Sequence, residues 1–135
     1  MKKTSLLAGA ATALLLHGCA TGGAKLPENT GKYNQEQNAK FVLMDSGAQR
    51  SITATGLQEG KTADGRLEIA ALVRNRENRR LEVQIQCVFK DGQGYAVEET
   101  PFQTLILTEN AQETMRFTAT NAKAVNYTVR VRQTR

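Results

Sequence analysis

The sequence predicts an all-β domain, an immunoglobulin-like or related antiparallel β-sandwich of about seven strands. One reason is that apolar and polar residues alternate with a period of two in several segments after residue 40, as strands with one buried face require. The other is that turn-forming pairs separate these segments. Asp64-Gly65 and Asp91-Gly92 are the strongest pairs, because both supply residues that tolerate positive φ. No segment shows a convincing helical stripe of apolar residues.

The first four predicted strands follow in chain order. Two short candidates lie at residues 41–44 and 51–55. The segment RLEIAALV alternates clearly, with apolar residues at Leu67, Ile69, Ala71 and Val73. The segment RRLEVQIQCVFK is the clearest strand, with inward positions at Leu81, Val83, Ile85, Cys87 and Phe89. Because Cys87 lies among apolar neighbours, we expect a small buried hydrophobic residue there and not a reactive thiol.

Four more candidate strands complete the domain. Residues 95–98 and 103–107 give two short ones, with Pro101 just before the second, where its missing N–H costs least. The segment NAQETMRF has some helical character, but Thr114 and Phe117 favour a strand. The last strand alternates through AVNYTVRVR, with apolar residues at Val125, Tyr127, Val129 and Val131.

The amino terminus has the layout of a secretory signal. Lys2 and Lys3 precede an apolar segment at residues 5–16, and small residues surround Cys19. The apolar segment is shorter than the roughly 20 residues that span a bilayer. We therefore do not expect a permanent transmembrane helix there.

Residues 16–19, Leu-His-Gly-Cys, resemble a bacterial lipobox. The resemblance implies diacylglycerol on the Cys19 sulfur, cleavage before Cys19 and acylation of the new amino group. Each buried methylene of an acyl chain contributes about 0.8 kcal/mol, and stable anchoring needs more than one chain. Ala20 follows where an aspartate would resemble an inner-membrane retention signal, so the expected location is the periplasmic face of the outer membrane. The alternative is a free or disulfide-bonded cysteine near a cleavage site.

These features predict three parts of the chain: a lipoprotein signal peptide at residues 1–18, a lipidated cysteine with a flexible, polar tether at 19–40, and a β-sandwich domain at 41–135. Loss of the signal peptide removes Lys2 and Lys3 from the 18 basic residues. Against 13 acidic residues this leaves a net charge of +3 instead of +5. So small a charge, the predicted compartment and the few aromatic residues argue against a nucleic-acid partner.

Enzyme chemistry is not expected. The single histidine, His17, leaves with the signal peptide, so neither a Ser-His-Asp nor a Cys-His arrangement is possible and zinc loses its commonest nitrogen ligand. Glu98 and Glu99 would point to opposite sides of a strand. The turn at Asp91 lacks the further carboxylates of a calcium loop. We therefore expect no metal and no cofactor other than the covalent lipid on Cys19.

Two groups of arginines form the candidate binding patch. The first lies in the segment RNRENRR and contains Arg74, Arg76, Arg79 and Arg80. The second lies in the last strand, where Arg130 and Arg132 alternate with valines and therefore point to the same side. If the groups lie close together, they can hold acidic protein surfaces or anionic cell-wall and lipid groups by bidentate hydrogen bonds. The alternative is a solvated face whose charges protect a sheet edge.

Residues 73–132 resemble the YcfL-type family of small bacterial lipoproteins. The resemblance is carried by the turn at Asn75-Arg76, the long strand that ends in FKDGQG, the proline-led TPFQTLIL and the closing ATNAKAVNYTVRVR, together with the lipobox. It implies an envelope lipoprotein with an immunoglobulin-like or related sandwich and no assigned catalytic activity. By association, it also implies a role in cell-envelope or peptidoglycan assembly.

The function expected from these observations is that of a non-catalytic accessory domain, tethered to the bilayer by its acyl chains and binding an envelope protein. An alternative is a ligand-binding module for anionic cell-wall or lipopolysaccharide components, whose binding would weaken more steeply with salt. A third class, a passive structural lipoprotein, would bind neither.

Overall fold

The computed structural model describes residues 39–134. The predicted signal peptide, Cys19 and most of the predicted tether lie outside the described residues. The described part contains one short helix and eight strands, and this helix is not long and apolar enough to cross a membrane. The elements are β1 (Phe41–Leu43), α1 (Ser46–Ser51), β2 (Ile52–Lys61), β3 (Leu67–Asn75), β4 (Leu81–Lys90), β5 (Ala96–Glu99), β6 (Gln103–Leu107), β7 (Gln112–Thr118) and β8 (Asn126–Gln133).

The strands form two sheets, which confirms the predicted all-β sandwich. Five strands make one sheet, in which β8 lies between β1 and β4, and the other edge of β4 pairs first with β6 and then with β5. The second sheet has the order β2-β3-β7. All pairs are antiparallel except β1 with β8, which is parallel and so departs from the purely antiparallel prediction.

The core lies between the two sheets and is built by the predicted alternation. Ile69, Ala71 and Val73 of β3 face Ile85 and other inward residues of the five-stranded sheet, all fully buried. Burying such apolar side chains is the main source of stability in a sandwich of this kind.

Cys87 is part of this core, as predicted, and is fully buried. Burial raises the pKa of its thiol to about 12, because the thiolate loses its hydration, and the negative charge of Glu98 acts in the same direction. A thiol held in its protonated form is a poor nucleophile.

The edge beside β4 is interrupted at Thr100 and Pro101, which is why β5 and β6 are separate strands. At this interruption Thr100 supplies the hydrogen bonds that a continuous edge strand would form with Cys87 of β4. Its Oγ1 accepts from the Cys87 N–H at 3.0 Å, and its own N–H donates to the Cys87 carbonyl at 3.0 Å. Pro101, which has no N–H, lies exposed in the gap directly before β6, as predicted.

The two predicted Asp-Gly turns are present, but they use their glycines differently. Gly65 has a φ of +83°, as expected after Asp64. In the second turn the left-handed residue is Gly94, with a φ of +89°, and not Gly92. The reason is that Asp91 spans the whole turn: its Oδ1 accepts from the N–H groups of residues 93 and 95 at 2.9 and 3.0 Å.

Two elements near the start of the domain differ from the prediction. Helix α1 was not expected, because six residues are too few to show a helical apolar stripe. Strand β2 begins at Ile52 and continues to Lys61, well past the predicted end at residue 55. Its register shifts between Ala54 and Gly56, and this irregularity breaks the alternation that reveals a strand in a sequence.

Lys40, directly before β1, contacts both sheets. The ammonium group of Lys40 forms an ion pair with Glu59 of β2 and lies 5.1 Å from the centre of the Tyr127 ring of β8. Burial, and then the charge of Glu59, raise the pKa of Tyr127 to about 12. The start of the domain is therefore fixed at one end of the sandwich.

Candidate functional site

The strand directions bring both predicted arginine groups to one end of the sandwich. Strand β3 ends at Asn75, and the connection at residues 76–80 leads back into β4. Strand β8 runs antiparallel to β4, and Gln133 near its carboxyl end pairs with Val83 near the start of β4. We call this the arginine end. It contains Arg74, Arg76, Arg79, Arg80 and Arg132, and Arg130 lies two residues earlier in β8.

These arginines share an end of the molecule but not a single face. Arg74 is exposed on the three-stranded sheet, where it pairs in register with Thr53 and Gln112. Arg130 and Arg132 lie on the side of β8 that faces away from the core, beside Gln86 and Gln84 of β4 in the other sheet. Arg74 therefore does not join the arginines of β8 in one surface.

The 76–80 connection is held by a buried amide. Asn75 is fully buried, and its Nδ2 donates to the carbonyls of Arg79 at 2.7 Å and Thr108 at 2.9 Å. Its Oδ1 accepts from the Glu77 N–H at 2.8 Å. The Asn-Arg turn that was singled out in the sequence is thus shaped by the asparagine.

Within that connection, Arg79 is neutralised. Its Nε forms an ion pair with the carboxylate of Glu77, which also accepts a hydrogen bond from the Ser51 hydroxyl. The hydrogen bond from Arg79, followed by the one from Ser51, holds the pKa of Glu77 below its usual range. Arg79 is therefore occupied within the chain, whereas Arg80 is exposed and forms no ion pair with any residue in 39–134.

Helix α1 connects the two arginine groups. The N–H of Arg76 donates to the Ser51 carbonyl at 2.8 Å, and its Nη2 donates to the carbonyls of Gln49 at 3.0 Å and Arg50 at 2.6 Å. These bonds satisfy carbonyls that have no partner within the last turn of a helix. Arg76 thus has a structural role that the sequence did not reveal, because α1 itself was not predicted.

Asp45 fixes the other end of α1 against β8. Its Oδ1 accepts from the Ala48 N–H at 2.8 Å, and its Oδ2 accepts from the Gln133 N–H at 2.7 Å. Gly47 allows this close approach, since a Cβ at that position would overlap the side chain of Gln133. Both carboxylate oxygens of Asp45 are therefore occupied by backbone donors.

An open cleft of about 790 Å³ lies between α1 and the end of the five-stranded sheet. We call it the Arg50–Arg132 cleft, after the two arginines that line it. Its other lining residues include Met44, Ser46, Gln84 and Gln133. Arg50 was not among the predicted site residues, because it lies on the unpredicted helix.

Arg132 is held rigidly at the edge of this cleft. Its Nε donates to the Oε1 of Gln84 at 2.7 Å, and its guanidinium carbon lies 3.7 Å from the centre of the Phe102 ring. Stacking and hydrogen bonding together fix the plane of the guanidinium group. Among residues 39–134, no acceptor takes the hydrogens of its two Nη groups.

The acidic side chains of the described residues do not gather into a metal site. Within residues 39–134 there is no cluster of three or more histidine, cysteine, aspartate or glutamate side chains that would hold a metal. Glu98 and Glu99 pair with consecutive residues of β4 and so project to opposite sides, as predicted. Glu98 instead accepts from both the N–H and the hydroxyl of Thr120, each at 2.9 Å.

Comparisons with known proteins identify one family and two solved structures of similar fold. The family described as "Protein of unknown function (DUF1425)" matches residues 39–133. The solved structure of Campylobacter jejuni cj0090 is similar with a TM-score of 0.60 and 16% identity, over 70% of this chain and 98% of that chain. A DUF1425 family member from Shewanella sp. pv-4 is similar with a TM-score of 0.56 and 21% identity, over 62% of this chain and 77% of that chain. These two likenesses concern the fold alone. No curated protein matches the sequence.

Proposed function

The chain belongs to the DUF1425 family, and on that premise we propose that it is a non-catalytic, membrane-anchored envelope lipoprotein of the YcfL type. In this proposal a lipid on Cys19 holds the protein at the periplasmic face of the outer membrane. The domain then acts as an accessory module that binds an envelope protein through the Arg50–Arg132 cleft at its arginine end. Envelope or peptidoglycan assembly is the process in which we place it.

The observation that carries this proposal is that the chain enters the domain at one end and the arginines lie at the other. Residues 39 and 40 lead into β1 from the end opposite the arginines, where Lys40 lies beside the turn at residues 91–94. A chain anchored upstream of residue 39 is therefore attached at this opposite end, which favours an orientation with that end nearer the bilayer. The arginine end would face away from the membrane, where another envelope protein can reach it.

The end towards the bilayer has a composition that suits this orientation. Tyr95 is 69% exposed and Val125 is 56% exposed, and Lys40 and Lys123 lie in the same part of the molecule. Aromatic and lysine side chains with an apolar body and a polar tip are favoured at a lipid headgroup surface. We propose that this end rests against the bilayer to which the acyl chains are attached.

The proposal that the domain is not catalytic is supported by the state of its one described thiol. Cys87 is buried and its pKa is raised, so it is protonated at neutral pH. Among residues 39–134, those that line the Arg50–Arg132 cleft include no histidine or cysteine, and the one carboxylate among them, that of Asp45, is occupied by backbone N–H groups.

The anchor is tested by mass spectrometry of the intact protein isolated from cells. We expect the mature chain to begin at Cys19 and to carry the mass of its acyl chains, and we expect Cys19→Ala to lose both the lipid and the membrane association. An unmodified Cys19 in a membrane-bound protein would contradict the lipoprotein proposal.

The partner is tested by crosslinking in cells, with the bound species identified by mass spectrometry. The wild type is compared with an Arg50→Ala/Arg132→Ala variant, and Arg74→Ala is the matched control, since Arg74 is an exposed arginine at the same end but on the other sheet. We expect one envelope protein to be captured by the wild type and the control and lost with the double variant. Capture of only abundant bystanders by all three would contradict an accessory role.

A further inference from the structure

We infer that the Arg50–Arg132 cleft binds an oxyanion, either a carboxylate or a phosphate group, presented by the component that the arginine end recognises. This inference rests on the proposed function for the source of the ligand, but the site itself is argued from the geometry of the cleft. Because the arginine end is proposed to bind an envelope protein, the source that we infer is a carboxylate of that protein, and the phosphate of a lipid or lipopolysaccharide headgroup is the alternative that the test distinguishes.

Arg132 is already held in a geometry that suits an oxyanion. A guanidinium group binds a carboxylate or phosphate best when its plane is fixed and two N–H groups on one edge are free. Phe102 supports one face of Arg132 at 3.7 Å, and Gln84 takes the Nε–H at 2.7 Å. Two contacts thus fix the side chain without using either Nη group, so little rotational freedom remains to be lost on binding.

The cleft carries more positive than negative charge. Its two arginines form no ion pair with any residue in 39–134, although the charge of Arg50 also acts on Glu77. The carboxylate that lines the cleft belongs to Asp45, and its two oxygens already accept hydrogen bonds from the N–H groups of Ala48 and Gln133. A site that keeps two cations beside a carboxylate already occupied in this way is suited to an anion from outside the chain.

An unsatisfied donor lies beside the cleft on the same face of the sheet. The Nε of Arg130 is buried and has no hydrogen-bond partner among the residues that the structure describes. Arg130 does not line the cleft itself, but it precedes Arg132 by two residues on β8, so both side chains leave the same side of the strand. Buried polar groups without a partner are rare in folded proteins, so this face is one that a ligand or water can complete.

The walls of the cleft indicate what else the ligand carries. Ser46 and Gln133 offer neutral hydrogen-bonding groups, and Met44 offers an apolar surface that is 37% exposed. The volume of about 790 Å³ is larger than an isolated anion needs. The oxyanion is therefore expected to belong to a larger molecule, such as a peptide end or a headgroup, that lies along the cleft.

The test is an NMR titration of the ¹⁵N-labelled full chain in neutral detergent micelles, following the arginine Nε–H resonances. The probes are N-acetylalanine as the carboxylate, inorganic phosphate as the phosphate, and N-acetylalanine amide as the uncharged control. We expect a saturable shift of the Arg132 Nε–H resonance with at least one oxyanion and none with the amide. A stronger response to N-acetylalanine supports a carboxylate of the protein partner, whereas a stronger response to phosphate would assign a headgroup and contradict the proposed orientation of the arginine end.

The decisive variant is Arg132→Lys. It keeps the positive charge but removes the planar guanidinium group, which can donate two parallel hydrogen bonds to one oxyanion. We expect it to weaken oxyanion binding about tenfold, whereas Arg74→Lys on the other sheet leaves binding unchanged. Unchanged amide dispersion in both variants shows that they are folded. Equal weakening by both substitutions, or small shifts spread over all exposed arginines, would show general charge attraction and overturn the site.

The failure of this inference is distinguishable from failure of the proposed function. If the crosslinking experiment captures a partner through the arginine end but neither oxyanion shifts Arg132, the cleft is not an oxyanion site and the accessory function stands. If an oxyanion binds at Arg132 but no envelope protein is captured, the accessory function falls and the site belongs to a ligand-binding module.

Discussion

The guanidinium carbon of Arg132 lies 3.7 Å from the centre of the Phe102 ring, across the width of β4. Arg132 belongs to the end of β8, and Phe102 belongs to the interruption between β5 and β6 on the opposite edge of β4. The interruption at Thr100 and Pro101 thus supplies an aromatic support for the arginine that lines the cleft. The candidate site is therefore formed by the interruption between β5 and β6 together with helix α1.

The contact between Arg132 and Phe102 predicts an energetic coupling. In a double-mutant cycle of Arg132→Ala and Phe102→Ala, we expect a coupling free energy of about 0.5–1 kcal/mol, because a cation stacked on an exposed aromatic ring contributes that much. Urea unfolding of the four proteins gives the value. A parallel cycle of Arg132→Ala with Tyr95→Ala, at the other end of the domain, should show no coupling. Equal coupling free energies in the two cycles would mean that the contact between Arg132 and Phe102 does not stabilise the folded protein.

The buried amide of Asn75 predicts a large loss of stability on truncation. Asn75→Ala removes the donor to two carbonyls and the acceptor of the Glu77 N–H in a fully buried position. We expect the free energy of unfolding to fall by about 2–4 kcal/mol, since buried polar partners are left unsatisfied. Asn78→Ala is the matched control, because Asn78 is exposed and accepts one hydrogen bond from Asn110. Similar losses in the two variants would be inconsistent with Asn75 organising the connection.

The second turn offers a test of backbone strain alone. Gly94 has a φ of +89°, and no atom lies within 4 Å of the position that a Cβ would take. Gly94→Ala should therefore lower the free energy of unfolding by about 1–2 kcal/mol through the left-handed backbone conformation and not through a clash. Gly60→Ala is the control, since its surroundings are equally open and its φ is not positive. If both variants unfold at the same urea concentration as the wild type, the turn does not require the conformation seen here.

The ion pair between Glu77 and Arg79 predicts a pH dependence of stability. The pKa of Glu77 in the folded protein lies below its ordinary value of 4.5 because Arg79 and then Ser51 donate hydrogen bonds to the carboxylate. The folded state therefore binds the proton less readily than the unfolded state, and the stabilisation is present above pH 4.5 and is lost as the pH falls through the lower folded value. The effect is modest, because the pair is exposed to solvent.

This pH dependence is measured by urea unfolding between about pH 3 and 6, a window that brackets the ordinary glutamate pKa of 4.5. We expect Glu77→Gln to lose less stability on acidification than the wild type does. Glu113→Gln, on the exposed part of β7, serves as the control for removal of one carboxylate. A wild type and a Glu77→Gln variant with parallel pH profiles would refute the assignment.

Much of the fold was predictable because a strand with one buried face has an apolar residue at every second position of the sequence. The first half of strand β4 shows this, with Val83 and Ile85 buried and Glu82 exposed, whereas the predicted outward positions Gln86, Val88 and Lys90 in its second half are also buried. Strand β2 shows the limit of the method. The register shift between Ala54 and Gly56 moves side chains to the opposite face, so the alternation ends while the strand continues.

Less of the candidate site was predictable, because its parts are joined by tertiary contacts between distant segments. Arg132 was identified from its place on the outer face of a strand. Its support by Phe102, thirty positions away in the chain, follows only from the pairing of β4 with both neighbours. Arg50 and Asp45 belong to a helix turn too short to leave a periodic signal. A capping aspartate before a small residue was the one local sign that a helix begins there.

Site-specific photo-crosslinking in cells tests the central claim most directly, because it compares the two ends of the domain in the same lipidated protein. A photoreactive residue replaces Met44 beside the Arg50–Arg132 cleft in one variant and Tyr95 at the opposite end in the other, both of which are exposed. We predict a discrete protein adduct from position 44, and from position 95 no such adduct but lipid. The same protein adduct from both positions, or a lipid adduct from position 44, would contradict an arginine end that faces away from the membrane and binds a partner.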